Sequence, residues 1–162
     1  MVSKPYGDVI GVNLEQSDTV ATHKLGARTK LDDGGYAVYL KANTAITGEG
    51  YVVGVDNAFG CDHMTTTLAG TIGRGAQVGV AQCAHAALAY GWFVVHGKTR
   101  IQTAGAVALG NEITTTATAG NVDDATTTGL VVIDGMFVDG TAIGSATLGN
   151  AILRNASVGR TL

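Results

Sequence analysis

Gly91-Trp92-Phe93-Val94-Val95-His96-Gly97 decides the fold. It holds the only tryptophan of the chain, and its aromatic and β-branched residues suit a pleated, half-buried surface. Glycines at both ends mark it off as a strand of ordinary length. Tyr90, Trp92 and Phe93 are its large side chains, and they are the residues expected to anchor the core or an intersubunit contact.

The pattern repeats outward from this segment. Upstream, Asp32-Asp33-Gly34-Gly35 is a turn signal, because Gly accepts positive φ and Asp bonds its own backbone. It leads into Tyr36-Ala37-Val38-Tyr39-Leu40-Lys41, a run of strand length. Thr47-Gly48-Glu49-Gly50 precedes Tyr51-Val52-Val53-Gly54-Val55, a near-continuous apolar strand of the kind buried on both faces. A further strand is expected within residues 76–82. Downstream the units shorten: Ala106–Leu109 ends at Gly110-Asn111, Leu130–Ile133 at Asp134-Gly135, and Met136–Val138 at Asp139-Gly140. Asp-Gly favours a two-residue hairpin turn. Residues 130–138 therefore read as a hairpin, or else as one bulged strand bending at Gly135. Ala151–Leu153 closes the series.

Composition agrees with this reading. The 162 residues include 24 Gly and one Pro, 46% are hydrophobic, and only 14% are charged, against about 25% in an ordinary domain. That balance excludes a disordered chain. Glycines so distributed also exclude long helices, at roughly 1 kcal/mol for each interior glycine. The expected fold is all-β: a β-sandwich or barrel-like domain of short Gly-bounded strands over residues 26–162. Residues 1–25 differ, holding the only Pro and little alternation. They read either as an edge strand and loop or as an extended N-terminal arm ordered against a neighbouring subunit, with Pro5 and Tyr6 as arm contacts.

Two finer patterns carry expectations of their own. Leu109-Gly110-Asn111-x-Ile113 recurs as Leu148-Gly149-Asn150-x-Ile152, which predicts two similar strand–turn units. The threonine runs at 65–67, 114–116 and 126–128 are expected on exposed edges or loops, where a β-branched polar residue suits both backbone and water.

The search for chemistry yields one constellation. Cys61-x-His63 and Cys83-x-His85 each place a thiol and an imidazole at i and i+2, on one face if the segment is a strand. Zinc accepts such ligands, but the spacing fits no common structural zinc pattern. Small buried thiols and partly exposed imidazoles are the expected outcome, so no metal and no cofactor is predicted. The four serines lie in no Gly-x-Ser-x-Gly elbow, and no Walker-type loop occurs. Asp32-Asp33 and Asp123-Asp124 stand in turn contexts. A catalytic function is not expected.

With a net charge of −3 and no basic stripe, nothing predicts nucleic-acid binding. No stretch approaches the length of a membrane span. The segment MVSKPYGDVIGVNLEQ has no apolar core of a secretory signal, so synthesis in a reducing cytosol, with both cysteines as thiols, is expected. Positive mean hydropathy with few charges suits a part of an assembly, because partners cover exposed apolar area.

The order of strands and turns from about residue 30 to 155 resembles small tailed-bacteriophage head proteins of the decoration or cement type. The residues that carry the resemblance are Gly50-Tyr51-Val52-Val53-Gly54-Val55-Asp56, then Val78-Gly79-Val80-Ala81, and above all the Gly-Trp strand closing on Gly97. The resemblance implies a structural virion protein made in the host cytoplasm. It implies a homotrimer bound to the major capsid protein on the outside of a capsid, which it braces. The alternative of another class is a carbohydrate- or receptor-binding β-module of a phage tail or fibre.

Overall fold

The computed structural model describes residues 12–162; Pro5 and Tyr6 lie outside the described residues. The elements in chain order are β1 (Ser17–Asp18), β2 (Arg28–Lys30), β3 (Tyr36–Ala42), β4 (Val52–Val55), β5 (Gly60–His63), α1 (Thr66–Ile72), β6 (Val78–Ala81), β7 (Tyr90–Gln102), β8 (Thr114–Thr115), β9 (Val122–Asp123), β10 (Val131–Val138) and β11 (Leu148–Thr161). The fold is all-β, with one short helix.

Five of the strands close on themselves. β3 pairs with β5 in parallel, β5 with β4, β4 with β6, β6 with β7, and β7 back with β3, the last four antiparallel. Side-chain alternation then divides each strand between two cores. Val38, Leu40, Val53, Val55, Cys61, Phe93 and Val95 fill the lumen of this small barrel. Ala37, Tyr39, Val52, Val78, Val80, Trp92 and Val94 face outward into a second core. A ring of five strands has room inside for side chains only, which is why small residues such as Gly79 and Ala81 stand among the larger ones.

The second layer grows from β7. Residues 90–96 of this strand pair with β3, while residues 96–102 pair with β11 from Arg154 back to Leu148. β11 continues the sheet to β10, and β10 to β8 and β9. Val131, Ile133, Met136, Leu153 and Val158 from these strands close the outer core against the barrel. Barrel and layer share one long strand.

Several expectations change. The strand at 91–97 does not end at Gly97 but runs to Gln102. Gly97 is a kink at φ 102 beside a register shift between Tyr36 and Ala37. The Asp33 carboxylate fixes it, accepting bonds from the Gly35 and Lys98 amides at 2.8 and 3.0 Å. Residues 131–138 form one bulged strand rather than a hairpin. Gly135, at φ 77, takes up the register shift between Asp134 and Met136 while β11 remains the partner on both sides. The two Leu-Gly-Asn units differ: Leu109–Asn111 lies in an exposed loop, and Leu148–Asn150 opens β11. The closing strand runs 14 residues, far beyond 151–153.

The threonine runs separate by environment. Thr126–Thr128 are exposed in a loop. Thr65 caps α1, its hydroxyl accepting from the Leu68 amide at 3.0 Å. Thr114 and Thr115 are buried, contrary to expectation. Burial is tolerated because their hydroxyls are satisfied: Thr114 donates to the Asp123 and Ala125 carbonyls, and Thr115 accepts from the Val131 amide.

Candidate functional site

The two Cys–His pairs do not converge. Cys61 lies in the barrel lumen, where burial, with Asp62 and Asp56 adding to it, pushes its thiol well above the ordinary range. His63 rests its ring edge on Tyr51 at 5.3 Å and takes the Thr47 amide on Nε2 at 3.2 Å. Burial lowers its pKa, with Asp62 opposing. Neither cysteine forms a disulfide. Among the described residues no group of three or more His, Cys, Asp or Glu side chains could hold a metal ion. A thiol reagent is accordingly expected to reach Cys61 only after unfolding; measurable native-state labelling at Cys61, mapped by peptide mass, would contradict its place in the lumen.

The second pair forms a small device of its own. His85 is 2% exposed and stacks on Phe93 with ring centroids 4.8 Å apart. Its slot exists because Gly91 has no side chain: a Cβ there would stand 2.1 Å from the imidazole Cε1. Nδ1 lies 3.1 Å from the Ser17 hydroxyl, and Nε2 lies 3.6 Å from the Cys83 sulfur. Burial pushes the imidazole down to about 4, against the pull of Asp18. A ring whose basicity burial lowers this far is a weaker proton acceptor for the neighbouring thiol than an ordinary imidazole.

The paired acids act as turn locks. Asp124 accepts from the Ala108 amide at 2.9 Å and from Asn111 Nδ2 at 2.7 Å. These bonds hold its carboxyl below the usual range despite some burial. Asp33 has the corresponding role at Gly97.

The three predicted anchors divide between the cores. Trp92, 5% exposed, belongs to the outer core and meets the Tyr39 ring at 5.1 Å. Phe93 is fully buried in the lumen. Tyr90 is half-buried, stacked on Tyr39 at 6.3 Å, with the Lys41 ammonium 6.0 Å from its ring.

Sequence reasoning missed a pair of residues. Phe59 and Leu88 are 41% and 60% exposed, and both stand on left-handed backbone, at φ 60 and 65. They flank one place, the end of β3. The Phe59 carbonyl accepts from the Lys41 amide, the Leu88 amide donates to the Ala42 carbonyl, and the Ala89 carbonyl accepts from the Ala42 amide. Phe59 ends the turn in which Asp56 accepts the Ala58 and Gly60 amides, and Leu88 is the third residue of the Ala86–Ala89 turn. Glycine or asparagine would serve both positions without strain. The only sequence signal was a large apolar residue inside a turn: Phe59 after Asp56-Asn57, and Leu88 within a run of alanines. No family model, curated protein or solved structure matches the chain.

Proposed function

We propose that this chain is a structural virion protein, a decoration or cement subunit. It binds the major capsid protein on the outside of a phage capsid, as a homotrimer, and stabilises the shell without chemistry. The observation that carries the reading is the pair Phe59 and Leu88. A bulky apolar side chain on left-handed backbone costs about 1–2 kcal/mol, and its exposure forgoes the gain of burial. Both costs are offset when a partner covers the side chains. Backbone strain of this kind concentrates where a surface is used.

The sheet edges fit docking through side chains rather than strand addition. β2 presents Arg28 and Lys30, and β9 is only Val122–Asp123, followed by Asp124; short, charged edges resist pairing with another chain. A carbohydrate-binding tail module would use exposed planar rings; Trp92 and Tyr39 are buried, and the exposed phenyl rings are those of Phe59 and Phe137.

Capsids carrying the protein are expected to resist heat that opens capsids lacking it, and purified particles that contain none of it would end the proposal. The substitutions Leu88→Gly and Phe59→Asn sharpen the test. Leu88→Gly relieves a left-handed residue, so the isolated domain keeps its stability or gains up to about 1 kcal/mol; Phe59→Asn also removes the ring that packs over Gly26, so its domain stability is measured alongside occupancy. Capsid occupancy in a binding titration should fall at least about tenfold, the order expected for truncating an apolar anchor. Undiminished occupancy would move the docking surface elsewhere.

A further inference from the structure

We infer that residues 14–25 form a strap that acid releases from the Tyr39–Trp92 face while the rest of the domain stays folded. The strap is ordered but thinly held. Its only ladder pairing is Ser17 with Gly91 and Asp18 with Tyr90, and Leu14 is its one buried apolar side chain. Leu25 packs half-buried against the outer core at its far end, and between the two leucines the strap is held by a latch of polar and ring contacts on the barrel. The Tyr39 hydroxyl donates to Asp18 Oδ2 at 2.9 Å, and the Thr22 amide donates to the Tyr39 hydroxyl at 3.2 Å. His23 sets its ring edge against both Tyr39 and Trp92, each at 5.1 Å. Ser17 meets His85 in its slot. Local opening of such weakly anchored segments precedes global unfolding.

Both titrating latches favour opening as pH falls. His85 is closed in by Ser17 and Asp18 from the strap, by Cys83 from its own segment, and by Gly91 and Phe93 from β7. The closed state holds it near 4, whereas a solvated imidazole titrates at 6.5. Between those values the open state binds the extra proton, so acid drives opening. Complete recovery of ordinary basicity would raise the opening constant up to about a hundredfold across that window. Asp18 is pushed up by its slight burial, but bonds from Thr22, Gln16 and Tyr39 and the His23 charge hold it below its ordinary value. Its contribution is present above that value and is lost as pH falls beneath it. The other charged groups here are Glu15 and Lys24 on the strap and Lys41 over Tyr90.

The sole tryptophan lies under the strap and reports on it. Acrylamide quenching of Trp92 fluorescence should rise about threefold between neutral pH and about pH 4, with far-UV circular dichroism unchanged, as local opening requires. His85→Gln should remove that rise and leave only the step below about pH 4 that follows Asp18. Hydrogen exchange on the wild-type chain supplies a measurement that needs no variant. Corrected for intrinsic rates, the amides of 14–25 should lose protection in acid while those of β7 keep theirs. Quenching that stays flat until the dichroism collapses would overturn the inference. So would superposable profiles for wild type and His85→Gln, or strap protection that does not change with pH.

Discussion

Replacing Trp92 with Ala is expected to lower the unfolding free energy by about 3–5 kcal/mol, the range for deleting a large buried aromatic. In a domain of this size that is a fall in melting temperature of roughly 10 °C, measurable by circular dichroism because the fluorophore is lost with the side chain. The magnitude follows from position. Trp92 fills the outer core between the barrel wall and the strap, in contact with Tyr39 and His23. Trp92→Phe retains a ring in the same slot and should lose less than about 2 kcal/mol. An unchanged melting temperature for the alanine variant would place the indole at the surface and discard the outer core as described.

Gly35→Ala is the second large effect, and it comes from the backbone. A Cβ at Gly35 would stand 2.3 Å from the His96 carbonyl oxygen and 3.0 Å from the Gly97 Cα. Neither atom belongs to a side chain that can turn away. The conflict must be relieved by separating β3 from β7 at the kink, which also disturbs the Asp33 bonds to Gly35 and Lys98. A loss of about 3 kcal/mol is expected from such overpacking, read as a shifted denaturant midpoint. Gly34→Ala is the control, since nothing lies within 4 Å of its Cβ position. It should lose only the cost of a left-handed residue, about 1–2 kcal/mol. Equal effects at the two positions would mean that the close approach of β3 and β7 does not exist.

The strands at Tyr36, Val52, Val78 and Trp92 were legible because each is a short apolar run between turn residues, and local composition decides such runs. What could not be read were features fixed by distant partners. Gly97 looks like a strand end in sequence, yet it lies inside a strand, because Asp33 supplies bonds from far along the chain; at Gly135 the sequence allowed a hairpin or a bulged strand, and the continuous β11 makes it the bulged strand. Thr114 and Thr115 look like exposed residues, and are buried because Asp123, Ala125 and Val131 bring the matching groups. The helix at Thr66–Ile72 was unread because one short turn of small residues has no clear period. Tyr90, Trp92 and Phe93 were singled out from their size alone, and Trp92 and Phe93 lie in the two cores. Phe59 and Leu88 were not, since a positive φ on a large residue leaves no mark in composition.

The sharing of β7 between barrel and outer layer also dictates the order in which the molecule can assemble. Trp92 meets Tyr39, 53 positions back, and Thr99 meets Ala151, 52 ahead. Pairings of such separation place refolding in the slow regime of β proteins, milliseconds to seconds. All five barrel strands precede residue 103, whereas β11, which covers their outer face, is made last. During synthesis, therefore, the barrel strands are made before the outer core that Val52, Val78, Val80 and Val94 share with β10 and β11 is complete. Their exposure to aggregation lasts until the final fourteen-residue strand arrives to cover them.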